Sequence, residues 1–210
     1  MLQQLILLLD WFGICVFAVT GALVASRKEM DIVGFALLGS VTGIGGGTVR
    51  DVLLGVEPVF WVGQPSYLVT CIVVSTAMFF VAHIPLSRER LLLWFDAVGL
   101  SLFSVTGTVS ALATGAGPVI AVAMGVATAT FGGIIRDILG GESPVILQQE
   151  IYITAALLGA AVLVGLRWLG VSADASAGLA FLAAFSLRAA ALHWNLSLPR
   201  YRVRRQKVDD

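Results

Sequence analysis

The chain has 210 residues, of which 58% are hydrophobic and 12% charged, with a mean hydropathy of +0.95. A surface made from that composition does not stay in water, so the chain reads as an all-α integral membrane protein. Thirteen Lys and Arg balance thirteen Asp and Glu, which leaves no bulk charge to recruit nucleic acid or an acidic substrate. The information must lie in where the few charges stand.

A helix needs about 20 apolar residues to cross the hydrocarbon layer. Runs of that size fall near residues 5–25, 32–54, 67–84, 91–113, 118–139, 151–168 and 173–192, which predicts seven spans joined by short loops. The opening MLQQLILLLDWFG has no basic stretch before its apolar run, so it reads as a retained first span and not a cleaved signal. Arg27 and Lys28, then Arg88 and Arg90, then the tail PRYRVRRQK all follow odd-numbered spans. Basic residues in short loops stay in the cytoplasm, so the amino terminus is expected outside and the carboxyl terminus inside a cell inner (plasma) membrane. The tail reads first as that topology signal and second as a contact for anionic lipid head groups. Trp11, Trp61, Trp94, Trp168 and Trp194 fall near span ends, where indoles anchor at the interface. Cys15 and Cys71 lie in apolar runs without a partner motif and read as small hydrophobes, with no disulfide or metal.

Sliding the chain against itself by 86 residues aligns Asp10–Pro58 with Asp96–Pro144 without a gap, and 17 of 49 positions are identical. The matches include Asp10/Asp96, Arg50/Arg136 and Asp51/Asp137, which shared greasiness does not account for in a chain this poor in charge. The organisation expected is a first three-helix repeat over 1–85, a second over 86–170, a seventh helix over 171–195 and a basic cytoplasmic tail over 196–210. Three spans per copy is an odd number, so the second copy enters the membrane inverted, an architecture of transport proteins with the site near the midplane. A duplicated scaffold without a pore is the other reading.

The most informative stretch is GIGGGTVRD, Gly43 to Asp51, which returns as TFGGIIRD, Thr130 to Asp137. A helix-interior glycine costs about 1 kcal/mol relative to alanine, so Gly43, Gly45, Gly46 and Gly47, with Gly132 and Gly133, serve something other than a plain helix. Close helix packing is one use, since Gly39, Gly43 and Gly47 are spaced for it. The other is a break that turns backbone carbonyls towards a wetted cavity. Arg50 and Asp51 within one turn, and the hydroxyls of Thr42, Thr48, Thr128 and Thr130, favour the break. A dinucleotide-binding reading fails, because that fingerprint needs a strand before it.

An unpaired Arg or Asp at membrane depth costs at least about 2.5–3.5 kcal/mol and so seeks water or a partner. Asp10 and Arg50 share one leaflet, and Asp96 and Arg136 the other. Each Arg is therefore expected to bridge the Asp of its own repeat, or the adjacent Asp51 or Asp137, at one mouth of a narrow path. A pairing that only locks the bundle is the alternative. Asp10, Gly13, Phe17, Thr20 and Gly21 form a helical stripe repeated by Asp96, Gly99, Phe103, Thr106 and Gly107, read first as packing and second as pore lining.

These doubled glycine–Arg–Asp segments in an inverted three-plus-three repeat with a seventh helix resemble the prokaryotic branch of the trimeric intracellular cation channels, a group also catalogued as glycine transporters. The resemblance covers the chain to about Leu192. It implies a homotrimer in lipid, with a potassium-permeable path in each protomer flanked by the first, second, fourth and fifth helices, and the second and fifth kinked at Gly45, Gly46 and Gly47 and at Gly132 and Gly133. Phe131 stands where the first copy has Gly45, so the two kinks need not match. The leading function is a monovalent cation channel carrying K+, with Na+ as a second permeant ion, and with no cofactor. A carrier for glycine or another small zwitterion is the runner-up. An enzyme has little support, since no HExxH or GxSxG is present and His83 and His193 lie at span ends.

Overall fold

In the computed structural model, residues 2–82, 87–145 and 151–198 are described, with side chains from residue 7 onward. They form eight helices and no sheet: α1 (Leu2–Arg27), α2 (Ile32–Leu54), α3 (Phe60–Gly63), α4 (Ser66–Val81), α5 (Arg88–Ala113), α6 (Pro118–Leu139), α7 (Ile153–Trp168) and α8 (Ala173–Trp194). Five of them, α1, α2, α5, α6 and α8, are long and apolar enough to cross a bilayer. The apolar helices α4 and α7 have 16 residues each, which at 1.5 Å per residue is about 24 Å against a hydrocarbon core of about 30 Å. The expected end of the third span at residue 84 and the basic tail from residue 199 lie outside the described residues. One element departs from the sequence reading: the loop after the second span contains the short α3, started where the Phe60 N–H donates to Asp51.

The two helices that carry the repeated motif end in the same way. Gly55 adopts φ 67°, and the Val56 N–H closes on the Asp51 carbonyl at 2.9 Å. Gly141 adopts φ 64°, and the Glu142 N–H closes on the Asp137 carbonyl at 2.8 Å. A left-handed residue after the last turn satisfies the helix's final carbonyls, and glycine takes that conformation without a Cβ penalty. At the other end of α2, Asp31 accepts from the Gly34 N–H at 2.7 Å and fixes the first turn.

Four helices make the centre. α1 packs on α2, α5 on α6, α1 on α5 and α2 on α6, while α4 leans on α1 and α2, and α7 and α8 lean on α5. Phe17 of α1 and Phe103 of α5 meet edge to face, centroids 5.0 Å apart at 79°, a geometry worth about 0.5–1.5 kcal/mol beyond burial. Each ring lies on a glycine of the opposite helix. A Cβ on Gly13 would stand 2.8 Å from Phe103, and one on Gly99 would overlap Phe17. These two contacts exchange when the chain is shifted by 86 residues.

Candidate functional site

The interruption expected at the glycines does not occur: α2 is helical from Ile32 to Leu54 and α6 from Pro118 to Leu139. The glycines serve close approach instead. A Cβ on Gly46 would collide with the Thr128 carbonyl oxygen, and one on Gly132 would stand 2.5 Å from the Thr42 carbonyl oxygen. The α2 and α6 backbones therefore touch where only hydrogen fits, the small-residue contact that membranes use in place of a hydrophobic drive. Gly45 meets Ile135, and Phe131, which replaces its counterpart, is turned outward and 37% exposed.

The hydroxyls go mostly to the helices' own backbones. Thr42, Thr48, Thr128 and Thr130 each donate to the carbonyl four residues back, at 2.6, 2.7, 2.6 and 2.9 Å, and Thr20 donates to Phe17 at 2.8 Å. This bond supplies a buried donor's need in hydrocarbon and leaves only the lone pairs for anything else. Thr48 uses one of them to accept from the Trp61 indole at 3.0 Å. Thr20 and Thr106 are fully buried, so most of the α1 and α5 stripe is packing. Thr106 lies beside Asp10 without a well-formed hydrogen bond.

The charges form two clusters. In the first, Arg50 binds Asp51 through Nε at 2.8 Å and Nη2 at 2.7 Å and donates from Nη1 to Ser110 at 3.3 Å. Its guanidinium lies over the Phe60 ring, 5.7 Å from the centroid. Asp10 is near enough for electrostatic coupling to Arg50 but forms no ion pair with it. In the second, Arg136 binds Asp137 through Nε and Nη2, both at 2.9 Å, and Asp96 through Nη1 at 2.7 Å. The two adjacent-residue pairs are alike to 0.2 Å, and both Asp51 and Asp137 also accept a loop N–H, from Phe60 at 2.9 Å and Val145 at 3.1 Å. Only the second cluster joins its Arg to the Asp of the neighbouring helix. Of the two bridges expected for Arg50, the one to the adjacent Asp51 forms and the one to Asp10 does not, its Nη1 turning to Ser110 of α5 instead.

Asp10, Gly43, Gly47, Arg50, Phe60, Phe103 and Thr128 surround a cavity of about 10 Å³, about the room for one water. Asp10, Gly43, Gly47, Arg50 and Thr128 are thus the predicted site residues that the fold brings to one space. Gly45, Gly46, Gly132 and Thr42 face helix contacts, Thr20 and Thr130 are buried, and Gly133 lies under the second cluster, where a Cβ would stand 2.9 Å from the Tyr152 hydroxyl and 3.6 Å from Asp96 and Arg136. Among the described residues no cluster could hold a metal ion.

Sequence reasoning missed Ser110, Phe60, Tyr152 and Arg188. The signal for the last was available: Arg188 is a charge inside the expected seventh span, in SLRAAAL, outside the duplicated segments. It is 1% exposed, lies over the Tyr152 ring at 5.2 Å and donates to the Ile151 carbonyl at 3.4 Å.

A family model described as glycine transporter matches residues 7–83 and 93–168. The inner membrane protein YadS of Escherichia coli is 41% identical over 203 residues, 94% of this chain and 97% of its own length. A membrane protein of Vibrio cholerae is 38% identical over 202 residues, 94% of this chain and 83% of its own. Among solved structures, the trimeric intracellular cation channel orthologue from Rhodobacter sphaeroides superposes with a TM-score of 0.90 at 67% identity, covering 91% of this chain and 99% of that one. A second cation channel of that group gives 0.85 at 34% identity over 95% of this chain and 98% of its own.

Proposed function

Since this chain belongs to the trimeric intracellular cation channel family, whose prokaryotic branch the glycine-transporter model also describes, we propose that it conducts monovalent cations, K+ first, along a path of its own in each protomer of a homotrimer. The observation that carries this reading is the pair of buried Arg–Asp clusters, one at the C-terminal end of each of two helices, α2 and α6, that touch across the centre. Charge is retained at membrane depth where it meets an ion or water path.

The path runs between α1, α2, α5 and α6. It enters at the outer cluster of Asp10, Arg50 and Asp51 and leaves at the inner cluster of Asp96, Arg136 and Asp137, in an inner membrane with the amino terminus outside. Here α4 and α7 complete seven spans, and the two repeats are inverted. The exchange of Gly13–Phe103 and Gly99–Phe17 contacts under the 86-residue shift supports a two-fold relation between them. Two carboxylates against one guanidinium leave the outer cluster with a formal charge of −1, which draws cations and repels anions. Phe17 against Phe103 and the Gly46–Thr128 and Gly132–Thr42 contacts close the middle. Conduction requires α2 and α6 to part there, and a run of glycines is where a helix bends most readily.

Purified protein in a planar bilayer under a KCl gradient tests the reading. Discrete current steps that reverse near the K+ potential support it. Silence together with saturable glycine uptake into vesicles would replace it with a carrier.

A further inference from the structure

Both charged clusters are roofed by an aromatic ring, and the two roofs are held differently. At the outer end the Phe60 ring covers Gly47, where an added Cβ would meet it at 2.7 Å, and it carries Arg50 of the cluster itself on its face at 5.7 Å. At the inner end the Tyr152 ring system covers Gly133, the counterpart of Gly47, and it carries Arg188 of α8 at 5.2 Å. The arginine that holds the second ring thus comes from the one long helix outside the repeat.

We propose that Arg188 is a positioning residue: it holds Tyr152 as a lid over the Asp96–Arg136 pair, and through it α8 sets whether the inner end of the path is open. The Tyr152 hydroxyl reaches Gly133 beside Asp96 and Arg136, yet among the described residues it finds no hydrogen-bond partner, and neither does Asp96 Oδ2. The ring is therefore not fastened to the cluster by its own polar atom. What fixes it is packing among Leu100, Ala155 and Ala156 and the cation on its face. Arg188 also donates to the carbonyl of Ile151, the residue before Tyr152, so it holds both the ring and the backbone that carries it. A tilt or withdrawal of α8 would free the lid.

This rests on the channel reading above, and single-channel recording separates the two. Arg188→Gln is expected to raise open probability about thirtyfold, the size of losing a desolvated cation–π contact, and Arg188→Lys, which keeps the cation, to return most of the way to wild type. Tyr152→Ala is expected to open the channel as well, and adding Arg188→Gln to it to change nothing further, since the lid through which Arg188 acts is gone. A merely structural arginine would instead add its effect in both backgrounds. Conducting wild type with unchanged open probability in Arg188→Gln, or full additivity with Tyr152→Ala, overturns the assignment and leaves the channel standing. Should Arg188→Gln fail to assemble on size exclusion, the Arg188→Lys and Tyr152→Ala comparison decides in the same way. Silence of wild type and all variants overturns the channel reading and this one with it.

Discussion

The outer and inner clusters start from the same three residue types at the same spacing and end in different electrostatic states. Arg136 is fully buried and bound by two carboxylates, with Arg188 close by. Arg50 is 6% exposed and bound by one, and Asp10 beside it stays out of the ion pair, next to a cavity. The difference teaches that duplication supplies the charges, whereas the neighbours outside the repeated motif decide which of them are locked. Ser110 takes the hand of Arg50 that its inner counterpart gives to Asp96.

The strongest way to break the contrast is to remove the locked cation. Arg136→Gln leaves Asp96 and Asp137 buried without a counter-charge and should lower stability by about 3–5 kcal/mol, seen as loss of the assembled peak or a large fall in detergent melting temperature. Arg50→Gln strands one carboxylate at a wetter site, and the expected loss is about 1–3 kcal/mol, the penalty of an unsatisfied buried group. Equal losses in the two variants would erase the distinction drawn between the ends. Between these lies a test of the centre that both clusters share. Gly46→Ala drives a methyl into the Thr128 carbonyl and should destabilise by about 1–3 kcal/mol through overpacking, while Gly45→Ala, which meets the end of Ile135 at 3.2 Å and the Gly132 Cα at an ordinary 3.7 Å, should cost less. Melting curves of the two alanine variants check this.

The same contrast explains what could be read from the chain alone. The charged residues were legible because a membrane span carries so few that each must have a reason, and shared depth was enough to anticipate Asp96 with Arg136. It was not enough for Asp10 with Arg50, since depth says nothing of the hydroxyl that Ser110 brings from α5. The glycines were legible as special but not as to use. Whether Gly46 frees a carbonyl or admits one is decided by the facing helix, here Thr128, and a local sequence does not name its neighbour. The stripe on α1 and α5 was correctly periodic, yet only Asp10 and one side of Phe103 border the small cavity, because Phe17 and Phe103 fill the middle. Arg188 lies outside the duplicated segments, so the 86-residue shift does not point to it.

The most direct measurement is the reversal potential of Asp10→Asn beside Asp96→Asn in the same KCl gradient. If the outer cluster holds the free charge that selects cations, Asp10→Asn assembles normally and moves the reversal potential towards zero, whereas Asp96→Asn keeps the wild-type value and lowers thermal stability by unpairing Arg136. An Asp10→Asn channel as cation-selective as wild type, or a shift of equal size in both variants, would contradict the account.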